Sequence, residues 1–213
     1  MSATRRPLDA EALALAVDQL AARDPDLARV VDRHGLPPLW SRPAGFPTLV
    51  HIVLEQQVSL ASATAAFARL RASVEPLTPD GFLDLDDARL LEIGFSRQKA
   101  GYVRDLARAV AGGTLDLDAP ARMPDADVER VLVAQRGIGP WTAAIYLMEA
   151  LLRPDVWPAA DIALATAVAE VKGLGQRPNP ARLAEMGESW RPWRSVAARL
   201  FWHDYLSRRG RRL

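Results

Sequence analysis

The chain has 213 residues, 49% hydrophobic and 25% charged, which is the composition of a folded protein and not of a disordered one. It has no cysteine, which excludes disulfides, Cys-based zinc sites, Cys nucleophiles and Cys-held iron–sulfur clusters, and His34, His51 and His203 lack the spacing of a metal site. The net charge is +1 but unevenly spread: residues 1–130 carry 15 basic and 19 acidic side chains, −4, and residues 131–213 carry 12 and 7, +5. A basic C-terminal part suits an anionic partner such as nucleic acid, and ordinary variation in surface charge accounts for it as well.

Helical spacing predominates along the chain. Leu13, Val17 and Leu20 recur by four and three, as do Val103, Leu106 and Val110. The pattern predicts helices at 9–22, 26–34, 45–57, 60–74, 86–93, 97–112, 125–135, 140–152, 162–172, 180–187 and 190–208. Breaks fall at Gly35-Leu-Pro-Pro-Leu, Pro76-Leu-Thr-Pro, Gly112-Gly, Pro154 and the stretch from Gly173 to Pro180. Ser96 and Asp125 read as helix N-caps. No alternating strand with a hairpin turn and no internal repeat is visible, so the predicted class is all-α. No apolar run reaches the roughly 18 residues of a membrane span, and the basic start Met-Ser-Ala-Thr-Arg-Arg-Pro leads into no signal-peptide core. The expectation is a cytoplasmic protein without membrane contact.

The most informative stretch is Val133-Ala-Gln-Arg-Gly-Ile-Gly-Pro-Trp-Thr-Ala-Ala-Ile-Tyr146. A helix ends near Gln135. Gly137 and Gly139 permit positive φ and close backbone approach, and Pro140 suits the first position of the next helix. Such a turn exposes helix-start N–H groups that can hold a phosphate. On these residues alone, a plain αα-hairpin packed in the core is the favoured explanation.

The Gly-Ile-Gly-x-Trp-Thr-Ala pattern resembles the helix-hairpin-helix motif. Asp155-Val-Trp-Pro-Ala-Ala-Asp-Ile-Ala-Leu164 resembles the Pro- and Asp-containing loop of the helix-hairpin-helix glycosylase superfamily. Leu54-Glu-Gln-Gln-Val-Ser59, Gly94-Phe-Ser-Arg-Gln-Lys-Ala100 and Trp190-Arg-Pro-Trp-Arg-Ser195 are similar to the 3-methyladenine DNA glycosylase II branch. The resemblance runs in order from about Phe46 to Tyr205. It departs at Glu55, where the family often has Gly, and in the absence of the N-terminal β-rich domain of larger members.

The resemblance implies two helical lobes flanking a cleft, in a single 1–213 glycosylase domain. About 60–130 would form one lobe, and the N-terminal segment with 131–213 the other. It implies hydrolysis of the N-glycosidic bond of alkylated purines such as 3-methyladenine and 7-methylguanine in double-stranded DNA, leaving an abasic site. Deaminated or oxidised bases, or a non-catalytic DNA-binding module, are the alternatives.

Asp161 would be the catalytic carboxylate, with N-capping as its plain alternative; Asp155 reads as a loop or capping residue. Trp141 and Trp202 would wall the base pocket, with Tyr146 and Gln56 as further candidates, while Trp190 and Trp193 read as core. Gly137, Gly139 and Thr142 would meet DNA, and Gln57 falls at the intercalating position, where a simple polar turn is the other reading.

Strand-cutting relatives carry a lysine before the hairpin's Thr-Ala, where this chain has Trp141, so a monofunctional enzyme is expected. No cofactor is required; the resemblance implies a structural Na⁺ or K⁺ on the carbonyls of Val133, Gln135 and Ile138. The expected state is a monomer, nucleoid-associated when on DNA. Arg208, Arg209, Arg211 and Arg212 read as a solvated basic end with weak phosphate contact.

Overall fold

The computed structural model describes residues 6–210; the expectations for Arg211 and Arg212 lie outside them. The described residues form twelve α-helices, two short 3₁₀ turns and no strand. They divide into two units, one of residues 42–146, the other of residues 6–41 and 147–210. The sequence placed the division near 60 and 130. Residues 42–59 and 131–146 instead join the first unit, because the helix at 46–55 packs on the helices that follow it and the Gly137 turn packs on Tyr102.

The first unit holds α3 (Phe46–Glu55), α4 (Leu60–Ser73), α5 (Pro79–Leu83), α6 (Asp87–Ile93), α7 (Arg97–Ala111), α8 (Asp125–Val133) and the first turns of α9 (Pro140–Glu149). Polar side chains start these helices: Ser59 accepts from Ser62 N–H, Thr78 from Gly81, Asp86 from Arg89 and Ser96 from Lys99. Each satisfies a donor that the helix itself leaves unpaired. α3 lies against α4 and α7, and α5 against α7. Phe46, Phe82 and Phe95 meet edge to face with centroids 6.2 and 5.6 Å apart in the core.

The second unit holds α1 (Ala10–Arg23), α2 (Pro25–His34), α10 (Ile162–Val171), α11 (Pro180–Gly187) and α12 (Arg194–Arg208). α12 is buried along most of its length, against α1, α2 and α10. Trp157, Trp190 and Phe201 form an aromatic cluster with centroids 5.0–6.4 Å apart. Asp24 ends α1 and caps α2; Lys172 Nζ donates to it at 2.6 and 2.7 Å and Trp190 Nε1 at 2.8 Å. Burial would raise the Asp24 carboxyl, but Lys172, Trp190 and the Leu27 N–H outweigh it and hold the group below its ordinary value. Buried Arg199 donates to the carbonyls of Leu39, Ser195 and Met148, and burial lowers it to about 10 against the pull of Glu149, still cationic at neutral pH.

Several boundaries differ from the sequence expectation. α3 stops at Glu55 because Gln56 turns to ψ 123°, and α12 starts at Arg194, after a 3₁₀ turn at Glu188–Trp190 and Pro192. Asp125 is the first residue of α8 and not its N-cap, a place held by Pro124. α5 falls in the break expected at Pro76-Leu-Thr-Pro: it is too short to show periodicity, and Thr78-Pro79 caps and starts a helix there.

Candidate functional site

The hairpin joins α8 to α9 in the first unit. Gln135 N–H closes on the Leu132 carbonyl at 2.9 Å, Ile138 N–H on Gln135 at 3.1 Å, and buried Ile138 anchors the turn. Gly137 has φ +84°, and a Cβ there would lie 2.1 Å from the Tyr102 ring, so glycine is required twice over. Gly139 differs from expectation. Its φ is not positive and a Cβ would meet open space, so nothing inside the molecule demands a glycine there. Among the described residues, no acceptor meets the N–H groups of Gly137 or Gly139.

The turn is braced from both sides. Arg136 lies over the Tyr102 ring at 5.4 Å and pairs with Asp105 at 3.1 Å, while Gln98 donates to the Tyr102 hydroxyl at 2.6 Å. Tyr102 and Arg136 were missed in the sequence, because a tyrosine on a helix and an arginine in a turn carry no pattern of their own. The Gln56 amide donates to the Gly137 carbonyl and to Thr142 Oγ, each at 2.9 Å. Gln56 therefore serves the hairpin and not an open pocket wall, and Thr142 is buried beneath it. Tyr146 is fully buried, with its hydroxyl accepting from Gly45 N–H at 2.9 Å, so its ring has no face left for a base. Burial raises the Tyr146 hydroxyl above its ordinary value despite the Gly45 bond. Trp141 is half-buried in the first turn of α9.

Gln57 is exposed and has φ +57°, uncommon for a residue with a side chain, and exposed Val58 and Leu60 follow it. Glu55 is buried and paired with Arg42 at 2.7 Å, with His51 3.6 Å away. The carboxylate where the family often has Gly thus tethers the chain entering α3. The cation proposed for this turn suits its donor set: α8 ends at Val133, helix-end carbonyls carry partial negative charge, and Gln135 contributes an oxygen already in the turn.

Asp161 belongs to the second unit, at the N-cap of α10. Its Oδ1 accepts from Leu164 N–H at 2.6 Å and from Trp202 Nε1 at 3.3 Å. The loop before it is wound tightly, with Asp161 N–H on the Pro158 carbonyl at 2.9 Å and Ala159 N–H on Trp157 at 3.0 Å. Ser195 on α12 accepts from Val156 N–H, and Trp157 Nε1 donates to the Leu183 carbonyl. Asp155 pairs with Arg191 and Arg194, each at 2.9 Å, and accepts from Arg194 N–H at the start of α12, so it is a structural anchor.

The half-buried Asp161 carboxylate is therefore aimed by a helix terminus and one indole. Exposed Ile162 stands next to it. Of the other tryptophans, Trp190 is core, and Trp193 is half-buried and bonded to Gln19. Arg208 and Arg209 pair with Glu170 instead of standing alone.

Both lysines are engaged. Lys99 Nζ donates to the carbonyls of Leu54 and Gln56, each at 2.7 Å, and burial lowers its pKa; Lys172 is held by Asp24 and Asp26. No helix among the described residues is long and apolar enough to cross a membrane.

Residues 50–193 match the family described as HhH-GPD superfamily base excision DNA repair protein. A Bacillus subtilis protein provisionally named a DNA-3-methyladenine glycosylase, YfjP, is 31% identical over 186 residues, covering 84% of this chain and 65% of its own. A Schizosaccharomyces pombe 3-methyladenine DNA glycosylase, solved with abasic DNA, superposes with a TM-score of 0.83 at 26% identity, covering 88% of this chain and 95% of that one. A Bacillus halodurans DNA-3-methyladenine glycosidase gives 0.76 at 28% identity, covering 92% and 91%. The chain spans from 37% to 65% of the length of three curated relatives it matches.

Proposed function

The chain belongs to the HhH-GPD superfamily of base excision DNA repair proteins, and from that premise we propose that it is a monofunctional DNA glycosylase. It hydrolyses the N-glycosidic bond of alkylated purines such as 3-methyladenine and 7-methylguanine in double-stranded DNA. The products are the free base and an abasic site. The single observation that carries the reading is Asp161, half-buried and aimed by the α10 N-terminus and Trp202.

As the base departs, positive charge develops at C1′ of the sugar. A fixed carboxylate stabilises that cation, and water adds to C1′. The target base must first leave the stack. Trp202, which donates to Asp161, would supply a flat face, and an indole attracts a cationic alkylpurine by roughly 0.5–2 kcal/mol. That energy is small, so the weakened glycosidic bond of the damaged base supplies most of the selectivity.

The N–H groups of Gly137 and Gly139 would meet a phosphate without reading sequence. Val133, Gln135 and Ile138 carbonyls would hold a monovalent cation, whose charge would favour the same phosphate. Gln57 would fill the space left by the flipped base. The protein acts as a monomer, nucleoid-associated when on DNA.

The test is incubation with methylated duplex DNA and chromatography of what is released. Free 3-methyladenine and 7-methylguanine are expected. Release only from deaminated or oxidised duplexes would move the substrate class. DNA binding with no base released from any lesion would leave a non-catalytic binding module.

A further inference from the structure

Gln56 joins three elements of the first unit: it ends α3, its carbonyl accepts from Lys99 of α7, and its side chain bonds to the hairpin. α3 ends at Glu55, so its last carbonyls have no partner within the helix. Lys99, in the first turn of α7, supplies the partner: its ammonium donates to Leu54 O and Gln56 O, each at 2.7 Å. A cation at a helix C-terminus also meets the negative end of the helix dipole. The Gln56 side chain runs the other way and spends its amide N–H₂ on Gly137 O and Thr142 Oγ, each at 2.9 Å. With both donors used, it has none to offer a base. The next residue, Gln57, is exposed at φ +57°, a conformation that persists in a non-glycine residue only where its flanks impose it.

We infer that Gln56 and Lys99 are positioning residues that latch the Gln57 turn to the hairpin. The residue that enters the duplex and the turn that grips its backbone then move as one piece. This rests on the glycosylase reading, under which those two elements meet the same DNA. It assigns no contact with substrate to either side chain. Loosening the latch leaves the hairpin's N–H groups in place but lets the Gln57 turn relax. Grip on the backbone should survive while base extrusion fails.

The experiment uses the full chain with Gln56→Ala, Gln56→Met, Lys99→Met and Lys99→Arg. Three readouts are taken: anisotropy binding to undamaged duplex, fluorescence of 2-aminopurine placed beside an abasic analogue, and single-turnover release of 7-methylguanine. For Gln56→Met and Lys99→Met, undamaged-duplex affinity should stay within about twofold, while excision falls at least about tenfold and the 2-aminopurine rise is lost. The double variant should fall no further than the worse single one, since contacts in one network are not additive. Lys99→Arg, which keeps a cation for the two carbonyls, should recover part of both signals. Gln56→Met keeps the side chain's length if Gln56→Ala does not fold.

Excision and the 2-aminopurine signal unchanged in both Met variants would overturn the latch. So would duplex affinity falling in step with excision, because the residues would then only hold the hairpin together. A wild-type protein that releases no base refutes the glycosylase reading instead. The 2-aminopurine signal does not depend on turnover and still judges the latch.

Discussion

Replacing Asp161 by asparagine keeps an oxygen that can accept from Leu164 N–H but removes the negative charge. Asparagine is as good an N-cap as aspartate, so thermal stability should be unchanged. Excision should fall at least about a hundredfold, the size of loss seen when one electrostatic group is removed from an active site. Duplex binding should persist. Full activity in the purified variant would assign the chemistry to another carboxylate.

The hairpin glycines separate in the same way. Gly137→Ala forces a Cβ against the Tyr102 ring at φ +84°, and should destabilise the protein by at least about 1 kcal/mol. Gly139→Ala meets open space and should leave stability within about 0.5 kcal/mol, yet weaken binding to every duplex alike. A Gly139→Ala protein with unchanged affinity would remove that turn from the DNA contact.

At the scale of one helix, α3 carries a half-buried acid–base group that the sequence did not announce. The His51 ring stacks on Phe67 at 4.2 Å, and burial, with the Arg42 charge nearby, lowers its pKa to about 4. The folded protein therefore keeps His51 neutral where the unfolded chain, with an ordinary value near 6.5, takes up a proton. For a base whose folded value is depressed, stability is full above the unfolded value and falls as pH drops from about 6.5 to about 4. The loss amounts to at most about 3 kcal/mol over that window. Urea unfolding at pH 7.5 and 4.5 checks this. The wild type should lose more stability between the two than His51→Leu does, and equal losses would mean that His51 titrates normally.

For the whole molecule, the lysines decide the product. Strand cleavage through a Schiff base needs an amine at C1′. The chain has two lysines, and each is held elsewhere, Lys99 by the carbonyls at the end of α3 and Lys172 by Asp24 and Asp26. Methylated duplex treated with enzyme should show breaks only after hot alkali, and borohydride should trap no adduct. Breaks before alkali, with an adduct lost in Lys99→Ala, would show that Lys99 leaves its carbonyls to react.

What the sequence determined by itself was local or carried by short motifs. Helices announce themselves through apolar spacing and caps, so eleven of the twelve among the described residues lie where periodicity placed them. The Gly-Ile-Gly turn was visible because glycine and proline mark the ends of helices, and Asp161 because its loop resembles that of the helix-hairpin-helix glycosylases; its place at a helix start alone reads as a cap. Tertiary structure decided whatever depends on residues distant in the chain. That Gly137 faces Tyr102, that Gln56 bonds across 81 residues to the hairpin, that Tyr146 is closed off by Gly45, and that the first unit recruits chain from beyond 60 and 130 are all results of packing. Periodicity tells which face of a helix is apolar but not which partner covers it, and a side chain's hydrogen bonds follow from that partner.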